Sequence, residues 1–212
     1  MKLSRGEWER RFDAGTLKMA LVGMSNIGKS SSGMRFATRF NFSLIEVDRL
    51  IWERLGERDM EAFAQWLGQP YTDGYAEREA KSMLLETDAT EEAMRTSARN
   101  PLLDTTGSVI YTGDDVLHRL ATDWYTVYIE ADPEQVWQLK KLYFEAPKPL
   151  AWQGHFAMQP GLTQTESLIA CYSGLLESRA KAYARIADRT VSSRDILVKD
   201  TARLLDLFKP PV

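Results

Sequence analysis

The chain has 212 residues, 44% hydrophobic and 27% charged, which is enough apolar material for one substantial core and too little length for a second full domain. With a formal net charge of -3 and no basic run interleaved with aromatics, it does not read as a nucleic-acid binder; one cysteine and two histidines exclude an internal disulfide and a Cys/His metal cluster. No apolar run approaches membrane-spanning length and residues 1–11 are charged throughout, so a cytoplasmic protein without membrane or nucleic-acid partners is expected, as a monomer or small homo-oligomer.

In chain order, Ser4 and Glu7 make a capping box, Trp8 and Phe12 share a face and Gly15 supplies a stop, which predicts a helix over residues 4–14. Residues 16–22 read as a buried strand. Directly after it, Gly23-Met24-Ser25-Asn26-Ile27-Gly28-Lys29-Ser30 fits G-x-x-x-x-G-K-[ST] at every fixed position. The chemistry demands these types: glycines let backbone N–H groups turn inward, Lys29 neutralises β/γ-phosphate charge and the Ser30 hydroxyl ligates Mg²⁺. Gly33, Phe36, Ala37 and Phe40 then mark one helical face, so the loop joins strand to helix and aims the helix N-terminus at an anion. Gly23, Asn26, Ile27, Gly28, Lys29, Ser30 and Ser31 are the candidate nucleotide contacts, with ATP and Mg²⁺ as cofactors.

Residues 41–48 form a second strand candidate ending in Glu46 and Asp48. Two apart on a strand, these carboxylates would point the same way, one toward magnesium and one toward a substrate hydroxyl, although Asp48 could equally cap the next helix. Helices are predicted over 49–55 and 59–67, the latter turning Ala62, Phe63 and Trp66 inward, with a turn at 69–74. Ala80, Met83, Thr87, Met94 and Ala98 keep helical spacing over 76–99, with Thr87-Asp88 as a candidate break.

A third strand over 100–104 ends in Asp104, where a magnesium-side carboxylate is expected, and Thr105-Thr106-Gly107 completes D-x-x-G. Residues 109–111 extend or follow it, and a short helix spans 114–121. A fourth strand covers 124–129. Asp132 then caps a helix with Pro133 first and Gln135 closing the box, carrying Val136, Leu139 and Tyr143 inward.

The proline- and glycine-broken stretch 145–164 reads as a lid, with Lys140, Lys141 and Lys148 as cations that could reach a transferring phosphate. In the helix predicted over 165–187, Leu168, Tyr172, Leu175, Tyr183 and Ile186 form the core stripe and Arg179 falls on it. A guanidinium there needs a structural carboxylate or an anionic substrate. Arg35, Arg39, Arg49, Arg54, Arg185 and Arg189 read as solvated charges, His118 and His155 as packing or surface residues, and Cys171 as a small core residue. A fifth strand near 190–191 precedes a last helix with Leu204, Leu205 and Phe208. Alternating strands and helices imply an α/β fold with a five-stranded parallel sheet between two helical layers.

Assembled in this order, the loop at 23–30, the pair Glu46-Val47-Asp48, Asp132-Pro133-Glu134, Lys148-Pro149-Leu150 and Arg179-Ala180-Lys181-Ala182-Tyr183 resemble the shikimate kinases over most of residues 17–208. The resemblance implies a P-loop sandwich with a lid and an acceptor-binding region at 48–99. It further implies transfer of the ATP γ-phosphoryl to a hydroxyl of a small carboxylated molecule. By it, Lys29, Asp48 and Lys148 are catalytic, Asp48, Gly107 and Arg179 bind a hydroxy-acid acceptor, and Ser30, Glu46 and Asp104 serve the metal. The family's second carboxylate-binding arginine, in F-R-x-x-E, is matched at Tyr75-Ala76-Glu77-Arg78-Glu79, where alanine stands in its place; a lysine, Lys148, replaces the lid arginine, and Thr105-Thr106-Gly107 replaces a triple-glycine turn. The alternative reading is a nucleotide-binding regulatory protein without transfer chemistry. A D-x-x-G switch NTPase would need a guanine-reading N-K-x-D motif, which the sequence lacks.

Overall fold

A computed structural model describes residues 2–56, 60–145 and 150–211. Five strands, β1 (Met19–Val22), β2 (Ser43–Glu46), β3 (Pro101–Asp104), β4 (Tyr125–Glu130) and β5 (Arg189–Ser192), form one sheet in the order β2-β3-β1-β4-β5. All four pairings are parallel. Parallel strands need crossovers, and the intervening helices supply them: α1 (Arg5–Ala14), α2 (Lys29–Phe40), α3 (Val47–Leu55), α4 (Met60–Leu67), α5 (Tyr75–Met94), α6 (Asp114–Thr122), α7 (Pro133–Glu145), α8 (Gln164–Ile186) and α9 (Thr201–Phe208). α2 and α9 pack together on one side of the sheet, α6 and α8 together on the other, as right-handed crossovers require when the chain first steps outward to β2 and then returns. β1, β3 and the first five residues of β4 are buried throughout, which is why they read as continuous apolar runs and not as alternation.

The predicted elements are present, with instructive differences at their ends. Ser4 caps α1 by accepting the Glu7 N–H, and Gly15 closes it in a left-handed conformation. β2 stops at Glu46, which is the N-cap of α3, so Asp48 stands in the first helical turn and the period-2 pairing of the two carboxylates does not apply. α5 is unbroken: the Thr87 hydroxyl donates to Met83 O and Thr112 O, absorbing the side chain that could have competed with the helix. Its buried stripe runs through Tyr75, Ser82, Met83, Glu86, Ala89, Thr90, Ala93 and Met94, leaving the expected core positions Ala80 and Ala98 exposed. The helix ends at Met94, not Arg99. Val136 is also exposed, whereas Leu139 and Tyr143 are buried. Residues 109–111 form a 3-10 turn after β3. The helix start predicted at Asp59 lies outside the described residues.

Asn100 holds the amino-terminal edge of the sheet. Its N–H donates to Gly15 O, its Nδ2 to Phe12 O, and its Oδ1 accepts from Leu17 N, while its carbonyl accepts from Ser43 N. One buried residue with φ of 41° thereby joins α1 to the starts of β1, β2 and β3. Asn tolerates that conformation better than any other non-glycine residue. Asn100→Ala would orphan Leu17 N–H and add backbone strain; a loss of roughly 1–3 kcal/mol in denaturant unfolding is expected, and an unchanged midpoint would contradict this role.

Candidate active site

At the carboxyl edge of the sheet the chain turns three times: after β1 into the loop 23–28, after β2 into α3, and after β3 into Thr105–Ser108. That edge is where open α/β sheets bind ligands. The first turn needs Gly23, whose φ is 146° and where a Cβ would meet Ile129 O at 2.7 Å. Asn26 takes φ of 64°, and Gly28 starts α2 with no side-chain cap, so the first-turn N–H groups carry no capping side chain. The ammonium of buried Lys29 curls back, donating to Gly23 O and Met24 O at 3.0 Å each. Ile27 is buried beneath the loop, while Asn26, Ser30 and Ser31 are exposed on it. The strand-loop-helix geometry expected of a phosphate cradle is therefore present.

Glu46 and Asp104 are direct partners in the β2–β3 register, and Asp104 also pairs with Leu21 at the end of β1. Two carboxylates thus end neighbouring strands beside the loop. Among the described residues no group of three or more His, Cys, Asp or Glu forms a ready metal cluster. Hard oxygen donors from Ser30, Asp104 and Glu46 suit Mg²⁺, which keeps most of its waters and takes one or two carboxylates.

The third turn packs on the first. A Cβ on Gly107 would lie 2.8 Å from Ser25 Oγ and 3.1 Å from Ser25 N, so any side chain there would press on the phosphate loop. The Gly107 carbonyl accepts from Arg179 Nη1 at 2.8 Å and from the Tyr183 hydroxyl, and the Thr105 hydroxyl donates to Leu21 O at 2.8 Å. Arg179 is 2% exposed, with Nη2 donating to Ala151 O at 2.6 Å and its guanidinium 5.4 Å from the Tyr111 ring centre. Its Nε has no hydrogen-bond partner. Among the described residues Arg179 therefore has no carboxylate partner: it is held there by carbonyls, with one buried donor unused.

A small cavity lies between these groups, lined by Ser25 from the loop, Asp48 and Ile51 from α3, Phe63 and Leu67 from α4, Ser82 and Glu86 from α5, Thr106–Ser108, Ala151 and Arg179. α3, α4 and α5 pack on one another to form its outer wall. Its volume is about 20 Å³, space for one or two waters. The structure brings Asp48, Gly107 and Arg179 together here, with Glu86, which the sequence pattern does not single out. This carboxyl is 2% exposed and accepts from the Thr106 hydroxyl and, at 2.6 Å, from the Ser108 hydroxyl. Burial pushes it up to about 7, against the pull of the Ser108 and Thr106 hydrogen bonds; the Asp48 charge adds to the rise and Arg179 opposes it. A polar stripe at Ser82, Glu86 and Thr90, spaced i, i+4, i+8 along an otherwise apolar face, was the available signal.

Tyr75–Glu79 sits elsewhere. The Tyr75 hydroxyl donates to Leu150 O at 2.7 Å, and Glu79 accepts from the backbone N–H groups of Trp152 and Gln153, pinning the segment after residue 149. The α5 stretch ending in a glutamate at the cavity is Ser82-Met83-Leu84-Leu85-Glu86. In either register, Ala76 or Met83, no second arginine reaches the cavity from α5. Lys148 lies outside the described residues, as do the neighbouring residues 146–149 of the predicted lid; Lys140 and Lys141 are on α7. Residues 150–152 are buried, with Trp152 packed among Tyr143, Phe156 and Tyr172. Arg35 is not a solvated charge: its guanidinium donates to Ile196 O, Val198 O and Lys199 O, tying α2 to the turn before α9. Arg189 Nε likewise donates to Leu207 O, and Arg54 pairs with Glu92. His118 is exposed and His155 and Cys171 are half-buried.

The family model described as "Shikimate kinase" matches residues 25–206. The chain belongs to the shikimate kinase family. Curated relatives named shikimate kinase include one from Bradyrhizobium diazoefficiens, 25% identical over 182 residues (86% of this chain, 74% of that one), and one from Nitrobacter winogradskyi, 27% identical over 179 residues (84% and 70%). Among solved structures, the fold is similar to shikimate kinase from Acinetobacter baumannii in complex with shikimate, with a TM-score of 0.61, 20% identity and coverage of 93% of this chain and 96% of that one. The Bacteroides thetaiotaomicron shikimate kinase gives 0.59, 20%, 91% and 94%. As a member of the shikimate kinase family, the protein is a nucleotide-dependent small-molecule kinase on a P-loop α/β sandwich. Among the described residues no helix is long and apolar enough to cross a membrane.

Glu86 has a stability signature. Its folded value of about 7 stands above the ordinary 4.5, so between those values the folded chain holds the extra proton. Its contribution is fully present below pH 4.5 and lost as pH rises through 7. Glu86→Gln should lose less stability than the parent across pH 5–7 in parallel denaturant titrations; identical pH slopes would contradict the assignment.

Proposed function

We propose that this kinase moves the γ-phosphoryl of ATP, with Mg²⁺, to a hydroxyl of a small hydroxy acid of the shikimate type. The observation that carries the reading is the convergence of Asp48 and the buried Arg179, held on backbone carbonyls, on one cavity beside the Lys29 loop. ATP with Mg²⁺ supplies the transferable phosphoryl when bound. The loop N–H groups and Lys29 hold and neutralise its phosphates, and Ser30, Asp104 and Glu46 provide oxygens for the metal. Asp48 orients the acceptor hydroxyl and takes its proton as the phosphoryl transfers. Arg179 meets the acceptor carboxylate through Nε and through the Nη2 freed when Ala151 O yields. Lys148 and the 145–164 segment serve as the lid that excludes water. The whole of residues 1–212 acts as one kinase domain, with 48–99 carrying the acceptor.

A cavity of about 20 Å³ cannot hold a ring, so acceptor entry requires the α3–α4–α5 wall or residues 150–152 to shift. The same small volume favours a second reading, nucleotide binding without transfer. Acceptor-dependent ADP release from shikimate and related hydroxy acids separates the two. With turnover present, Asp48→Asn should lower kcat by ~10²–10⁴-fold while the KM for ATP changes little, and Lys29→Ala should remove turnover with the fold intact by circular dichroism. Absence of acceptor-dependent turnover across the panel would leave the second reading standing.

A further inference from the structure

Distant parts of the chain press on the phosphate loop at two of its residues. Ser25 lies against the turn after β3 at Gly107, and Gly28 lies against Ile196, whose Cδ1 stands 2.6 Å from where a Gly28 Cβ would sit. Ile196 is buried in the 3-10 turn Asp195–Leu197, on the connection from β5 to α9. That connection is tied down before and after the turn. Before it, Ser193 N donates to Glu130 O at 2.8 Å and Ser193 Oγ accepts from Asp132 N at 3.2 Å. After it, Arg35 of α2 donates from Nη2 to Val198 O at 2.7 Å and Lys199 O at 2.9 Å, and from Nη1 to Ile196 O at 3.4 Å. Gly28 and Arg35 are seven residues apart, two turns on one face of α2, so residues 196–199 run along that face from the loop to the guanidinium. Two turns are about 10 Å of helix axis, and both Nη groups are engaged by carbonyls of the connection. The effect of Arg35 on the loop therefore passes through Ile196.

The loop needs such support. Gly23 and Gly28 take φ of 146° and 106°, and Asn26 takes 64°. Glycine makes those angles accessible and also gives the backbone the most freedom to leave them. A loop ordered before the nucleotide arrives spares binding the cost of ordering it. Resting on the reading of residues 23–30 as the nucleotide's phosphate loop, we infer that Arg35 is a positioning residue for it: by holding residues 196–199 along α2, Arg35 keeps Ile196 against Gly28 and the loop in its receiving conformation. A planar fork reaching several carbonyls fixes a chain segment in a way that a single ammonium does not.

Calorimetry of ADP with Mg²⁺ binding to the whole chain, and hydrogen exchange of residues 23–30 without ligand, test this. Arg35→Lys keeps the charge and loses the fork; Ile196→Val removes the Cδ1 that meets Gly28. ADP binding should weaken roughly tenfold in Arg35→Lys, as when the competent loop falls to a tenth of the population, and by a smaller factor in Ile196→Val. Exchange at residues 23–30 should quicken in both. The double variant should bind no more weakly than Arg35→Lys alone, because both changes release the same contact. Arg189→Lys is the control: Arg189 Nε ties β5 to Leu207 O on α9, so ADP affinity and loop exchange should stay at the parent values whatever the cost in stability. Parent-like ADP affinity in Arg35→Lys or Ile196→Val, a double variant whose loss is the product of the two, or an equal loss in Arg189→Lys would overturn the role of Arg35. Should Arg35→Lys fail to fold, Ile196→Val decides: weaker ADP binding with faster loop exchange supports the role and parent-like values overturn it. If the parent chain binds no ADP, residues 23–30 hold no nucleotide and Arg35 has no such loop to position.

Discussion

The carbonyl oxygen of Gly107 is the point on which the site depends. It accepts hydrogen bonds from both Arg179 and Tyr183, two buried side chains of α8 one helical turn apart, while the Gly107 Cα lies against Ser25 of the phosphate loop. A helix, a strand end and a loop from three distant parts of the chain thus meet at one residue. Because Gly107 has no Cβ, the turn after β3 can lie close against the phosphate loop.

Around that joint the protein manages buried charge by different means. Lys29 is parked on loop carbonyls, Arg179 on carbonyls of Gly107 and Ala151, and Glu86 on hydroxyls of Thr106 and Ser108. Among the described residues the partners of Arg179 and Glu86 are neutral, so neither group forms an ion pair there. The hydroxyls of Thr106 and Ser108 are the groups that hold the Glu86 carboxyl.

Much of the donor half was legible in the residues because it is local. The loop spans eight consecutive positions, its flanking strand and helix carry clear periodicities, and Arg179 betrayed itself as the charged member of an apolar stripe. The acceptor half was less legible. Glu86 is a polar residue on an apolar stripe and carries no local motif, and Tyr75–Glu79, which resembles F-R-x-x-E, uses its tyrosine and glutamate to clamp residues 150–153. Arg35 looked like a surface charge because the carbonyls that bind it lie more than 160 residues away.

The sequence by itself determined the phosphate loop, the order of strands and helices and the placement of an arginine among core residues, since each follows from contiguous pattern and backbone chemistry. Only the tertiary structure decided what Arg179 and Glu86 face, how Asp48 enters through a helical turn instead of a strand end, and that no second cation arrives from α5. Those outcomes depend on which carbonyls and hydroxyls the folded chain brings within hydrogen-bonding distance, and no local pattern encodes that.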